Sequence, residues 1–179
     1  NQAATDYDKK WIPGQWKVPE AYDNPASNDP WYFSAIREAN YFLETVVPRF
    51  EKGEIEGSET NIKHYIGEMY FLRAKNYLSK LETFGDFPII KNTLPDESES
   101  LIQASKRAPR YKVAHFILED LDQAISLLTN NISGGKNRIT KNAALLLKSR
   151  AALFEASWLT YHKGTALVPG VQDGRERQK

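Results

Sequence analysis

Between Gly67 and Ile90 the chain carries a long amphipathic helix, a glycine stop and a short extended exit, in that order. Ile62, Ile66, Met69, Leu72, Ala74, Tyr77, Leu81 and Phe84 recur at three- and four-residue steps, the signature of a helical stripe that must be buried against something. Gly85 can take the left-handed conformation that closes a helix, and Pro88 forbids its continuation. A helix of this length cannot bury its stripe alone, so the rest of the chain has to supply packing partners.

Those partners read as further helices. Asp29 as N-cap and Pro30 at the first helical position open one helix, with Ala35, Ala39, Phe42, Leu43 and Val46 inward and Pro48 as its end. The second helix starts near Ser58 or Thr60 and stops at Gly85. Residues 86–110 form a connector, extended from Phe87 to Ile90 and then polar. A third helix follows Pro109, with Val113, Phe116, Ile117, Leu121, Ala124, Ile125 and Leu128 on one face, and leaves through Asn130-Asn131 and Gly134-Gly135. A fourth follows Thr140 as N-cap, with Ala144, Leu147, Ala151, Phe154 and Trp158 inward. The expected fold is all-α, two tetratricopeptide-like helix pairs over roughly 31–84 and 111–162 with long irregular loops. Ala74, Ala144, Ala151 and Ala152 would let paired helices approach closely. Residues 1–170 form the helical domain and 171–179 a polar stub without periodicity.

Composition narrows the function. A formal charge of +1, from 24 basic and 23 acidic residues, gives no electrostatic basis for binding nucleic acid or an anionic membrane. The chain has no cysteine, so thiolate metal sites, disulfides and cysteine nucleophiles are excluded. No apolar run approaches the roughly 20 residues that span a bilayer. His64 with Glu68, and His115 with Glu119, have i, i+4 spacing, but two ligands from one helix do not make a metal site, and each pair reads as a surface contact on its helix. Asp120 and Asp122 are two apart on a helix and face different ways, so they cannot flank one glycosidic bond. Asp86 reads as a partner for local backbone N–H groups, and Arg37 and Arg73 as partners of carboxylates near helix ends. There is no nucleophile elbow and no phosphate loop. No catalytic residue, metal or cofactor is expected.

Several segments, in order, resemble the SusD/RagB family of outer-membrane glycan-binding lipoproteins. Glu68-Met69-Tyr70-Phe71-Leu72-Arg73-Ala74 followed by Phe84-Gly85-Asp86-Phe87-Pro88-Ile89-Ile90 is similar to the family's E-x-x-F-L-R-A and G-D-x-P-L-I steps. Tyr32 with Ile36 to Leu43, Glu119 to Ile125, and Arg138-Ile139-Thr140-Lys141-Asn142-Ala143-Ala144 resemble three more of its helices. Met69 departs from the small residue more usual there, which touches packing only. The resemblance covers about 31–158 and implies a non-catalytic, surface-exposed protein that captures oligosaccharides and passes them to a SusC-like TonB-dependent outer-membrane transporter. It also implies a longer parent protein, with a lipid anchor that is not part of this chain.

A sugar ring packs its C–H face on aromatic rings, and its paired hydroxyls bond planar polar groups. The first 32 residues offer both, which makes Trp11, Trp16, Tyr22, Asn28 and Trp31 the candidate glycan-binding residues, on a loop carried by a helical scaffold. Trp31 and Tyr32 stand nearest the first helix and double as core candidates. Trp158 and Tyr161 form a second candidate pair. The rival reading is a helical-repeat adaptor for a protein or peptide, with the N-terminal tryptophans buried.

Overall fold

The computed structural model describes residues 31–131, 137–165, 167 and 168, and among these the regular elements are five helices. They are α1 (Ser34–Glu51), α2 (Glu59–Phe84), α3 (Ser98–Ala104), α4 (Arg110–Leu127) and α5 (Lys141–Tyr161). All lie in one compact unit that begins at Phe33. The all-α expectation holds, with α1–α2 and α4–α5 as the two helix pairs, joined through α2 against α4.

The anchors read from sequence act as expected in α2, α4 and α5. Ser58 precedes α2, and Gly85 closes it at φ +73° with its N–H donating to the Leu81 carbonyl. Pro109 stands at the start of α4. The Thr140 hydroxyl accepts from the Ala143 N–H at 3.2 Å, capping α5.

The first helix differs. It starts at Ser34 rather than at Pro30, because Phe33 is drawn into the core, where its ring stacks on Phe87 at 5.0 Å. Of its expected stripe Ala39 and Leu43 are buried and Phe42 and Val46 half-buried, but Ile36 is buried where Ala35 is exposed. Pro48 does not end it. An exposed proline in the last turn removes one backbone hydrogen bond, and the Lys52 N–H still reaches the Pro48 carbonyl at 3.2 Å. The connector also holds the unforeseen short helix α3, none of whose residues is buried. On either side of it, Phe87 and Ala108 exchange two backbone hydrogen bonds as an isolated antiparallel pair.

The core joins Ile36, Tyr77, Leu78, Leu81, Phe87, Val113, Phe116, Ile117 and Leu121 across α1, α2, the connector and α4. A smaller cluster of Ala124, Leu128 and Ala144 ties the end of α4 to the start of α5. Beside it α2 and α4 nearly touch at Gly67, where a Cβ would meet Leu128 Cγ at 3.0 Å and Leu127 Cβ at 3.1 Å. The expected stub at 171–179 and the exit at Gly134-Gly135 lie outside the described residues.

Candidate ligand-binding groove

A buried polar relay fixes the connector to the helices. Arg73, in the middle of α2, donates Nε to Asp120 Oδ2 and Nη2 to Asp120 Oδ1, each at 2.7 Å. Its Nη1 donates to Asn40 Oδ1 at 2.9 Å and to the Lys91 carbonyl at 3.3 Å. Asn40 turns its amide to the Ile90 carbonyl at 2.8 Å. The Tyr77 hydroxyl accepts from the Ile90 N–H at 2.8 Å and donates back to the Ile90 carbonyl at 3.1 Å. The side chains from α1, α2 and α4 thus hold one extended segment in a single register, and the guanidinium is also flanked by the Phe116 and Tyr70 rings. Arg73 therefore pairs with a carboxylate between helix middles, not near helix ends. The partner was not visible from spacing because it stands 47 residues away.

The segment so held forms one wall of an open groove of about 650 Å³ whose other walls are α4 and α5. Lys91, Lys112, His115 and Glu119 line it with exposed polar groups, while Ile89, Leu118, Ala152, Ala156 and Leu159 supply apolar wall. Lys91 stands 5.0 Å over the Phe116 ring and 4.0 Å from the Glu119 carboxylate. Glu155 also lines the groove, buried and fixed by Arg110, whose Nε donates to Glu155 Oε2 at 2.7 Å. Arg110 is held in turn by the Leu81 carbonyl at 3.2 Å and lies 4.1 Å over the Trp158 ring. Asp86 is where its turn suggested, but it reaches across the fold and accepts from the Arg110 N–H at the start of α4, at 2.7 Å.

Burial moves several groups. It pushes the Asp120 carboxyl above its ordinary value, with Arg73 pulling the other way. It pushes the Tyr77 hydroxyl up to about 12. Asp122 points away from Asp120, exposed and paired with Lys148, so the two carboxylates share no site. His64 is a correction. It is fully buried, its Nδ1 accepts from the Thr129 N–H at 3.3 Å, and its Nε2 is 3.5 Å from Glu68. Glu68 is committed to Arg138 and to the Ile139 N–H, so this pair joins α2 to the start of α5. His115 and Glu119 remain on the surface. Among the described residues no three His, Asp or Glu side chains gather as a metal site, and no helix is long and apolar enough to cross a membrane.

Chemically the groove offers cations and carboxylates that could bond hydroxyls, with half-buried Tyr111 and buried Phe116 as its aromatic lining. Trp31 is 36% exposed, in the irregular lead into α1 beside exposed Tyr32, so neither is core. Trp11, Trp16, Tyr22 and Asn28 lie outside the described residues. Trp158 is spent on Arg110 and on His162, at 4.2 Å between rings, and is not paired with the exposed Tyr161 as a platform. The groove residues of α4 could have been found as its one polar stripe, at 112, 115 and 119.

Comparison with known proteins places this arrangement. The family model described as starch-binding associating with outer membrane, SusD-like, matches residues 2–153. A SusD-like protein from Bacteroides fragilis shares 30% identity over 75% of this chain and 25% of its own, with a TM-score of 0.61. A laminarin-binding SusD-like protein matches at 23% identity and TM-score 0.60, over 75% of this chain and 28% of its own. A surface glycan-binding protein A from Bacteroides uniformis matches at 18% identity and TM-score 0.57, over 77% and 30%, which speaks for the fold alone. The chain thus spans under a third of the length of these solved structures. No curated protein matches it.

Proposed function

The chain belongs to the SusD-like family, and on that footing we propose that it serves as part of a non-catalytic, surface-exposed protein that binds oligosaccharides for uptake. The observation that carries this reading is the family match over residues 2–153, supported by the shared fold at 30% identity. The proposed location is the outer membrane, reached through a lipid anchor outside this chain. The proposed recipient of the glycan is a SusC-like TonB-dependent transporter.

In this reading the helices are a rigid support and the aromatic residues ahead of α1 are the capture surface. Trp11, Trp16 and Tyr22 stack on pyranose faces, Asn28 bonds paired hydroxyls, and Trp31 stands where that segment joins the scaffold. The Arg73–Asp120–Asn40 relay keeps α1, α2, α4 and the connector in one arrangement. No step of bond breaking is assigned to any residue.

The test is tryptophan fluorescence titrated with β-glucan and starch oligosaccharides, with Trp11→Ala and Trp16→Ala in parallel. A saturable change lost in either variant supports both the function and the site. A change that survives both substitutions keeps the function and moves the site. No change with any glycan in a broad panel refutes capture of those sugars and favours the adaptor reading.

A further inference from the structure

Trp31, Tyr32 and Phe33 stand in a row ahead of α1, and the structure treats them differently. Trp31 and Tyr32 are exposed. The Phe33 ring instead packs against the core and lies nearly parallel to Phe87, with centroids 5.0 Å apart and planes 13° apart. Phe33 occupies the N-cap position of α1, where a serine, threonine or aspartate would bond the free N–H groups, and its side chain makes no such bond. The position is given to a ring contact in place of a polar cap.

The ring on which Phe33 rests is itself held from several sides. Phe87 is fully buried. Phe84 stacks with it at 5.6 Å, and Tyr77 meets it edge-on at 6.2 Å. Its backbone exchanges hydrogen bonds with Ala108 at 3.2 and 3.0 Å. A few residues on, Ile90 is clamped by Tyr77 and Asn40. Phe33 is therefore pinned to the part of the fold that the buried relay fixes. Trp31 lies two residues before it, within about 7 Å along the chain, whereas Trp11, Trp16 and Tyr22 stand much further off in sequence. A stacking ring already held in place gives up less freedom when a ligand binds than one that has to be ordered first. We propose that Phe33 is a positioning residue for glycan capture: by stacking on Phe87 it holds Trp31 in place at the surface, so that a sugar meets a preordered ring. The proposal rests on reading the aromatic segment ahead of α1 as the capture surface. Phe33 does not itself touch the sugar.

Calorimetric titration of the full-length protein with β-glucan and starch oligosaccharides tests this through a double-mutant cycle. Phe33→Ala should weaken binding by about fivefold, the cost of ordering one more side chain on association. Phe33→Tyr, which keeps the ring, should bind within about twofold of the wild type. In a Trp31→Ala background, Phe33→Ala should change affinity by less than about twofold, because the ring it positions is gone. Circular dichroism checks that each variant folds. Phe33→Leu, which keeps apolar volume without a flat ring, takes the place of the alanine variant if that one unfolds, with the same expectation. Undiminished affinity in Phe33→Ala overturns the proposal, as does undiminished affinity in Trp31→Ala. An equal loss with and without Trp31 also overturns it, because a general loosening of the frame then accounts for the effect. Each of these failures leaves glycan capture standing. A wild type that binds neither sugar refutes capture of those sugars and the proposal together.

Discussion

Replacing Asp120 with alanine tests the buried relay most directly. Arg73 and Asp120 side chains are 7% and 5% exposed, and both hydrogen bonds between them are 2.7 Å. Removing one partner of such a pair leaves the other charge enclosed, which costs about 3–5 kcal/mol. Against a total stability of about 5–15 kcal/mol that is a large share. For a unit of this size it corresponds to a fall of about 6–20 °C in Tm. Urea unfolding followed by circular dichroism, read as a midpoint shift at constant slope, measures it. A loss below about 1 kcal/mol, the level of an exposed pair, would refute the claim that the relay organises the fold. The pH dependence asks which influence on Asp120 wins. Its carboxyl is raised by burial more than Arg73 lowers it. A carboxyl raised in the folded state contributes stability that is complete below its unfolded value, near ~3.9, and lost as pH rises through the folded value. The wild type should therefore gain on Asp120→Asn, which does not titrate, as the pH falls from neutral toward 4. If it loses ground instead, the guanidinium outweighs burial.

Other perturbations reach other parts of the frame. Tyr77→Phe should cost about 1–3 kcal/mol, since the Ile90 N–H loses its acceptor in a buried setting. The Tyr77 hydroxyl is raised to about 12, so its stabilising contribution is intact below its ordinary value near ~10 and is lost between there and about 12. Alkaline unfolding of the wild type, shallower over that range in Tyr77→Phe, checks this. Gly67→Ala should be destabilising by about 1–2 kcal/mol, because overpacking against Leu127 and Leu128 exceeds the gain in helix propensity; a rise in the urea midpoint would show that the helices can part. Glu68→Ala removes the acceptor of the Ile139 N–H and the partner of Arg138, so it should loosen the start of α5, seen as faster amide exchange at 139–143 with α1 unaffected.

Part of this fold is legible along the chain because it depends on neighbours in sequence. Gly85 ends α2 since a left-handed turn is open to glycine, and Pro109 and Thr140 mark helix starts for equally local reasons. Three-and-four periodicity found the four long helices, though not α3, whose Glu99 and Leu101 lie in a stretch too short and polar to show a period. Of the candidate site, residue type alone singled out the tryptophans ahead of α1, and the order of motifs pointed to the family. The groove, by contrast, exists only because the relay places Ile89 and Lys91 against α4, and no spacing announces that.

What tertiary structure decided is the partner of each side chain. Periodicity says that a helix has a buried side, but the angle at which its neighbours arrive chooses which residues that side contains. Hence Ile36 is buried in place of Ala35, Leu72 is exposed, and His64 is fully enclosed. Arg73 reads in sequence as the partner of a carboxylate near a helix end and becomes the hub of the interior because α4 brings Asp120 to it from 47 residues away. Local sequence determined where α2 ends and where α4 and α5 begin, since backbone hydrogen bonds within a helix span four residues. Burial and ion pairing between helices are contacts over long separations, settled only when the helices pack.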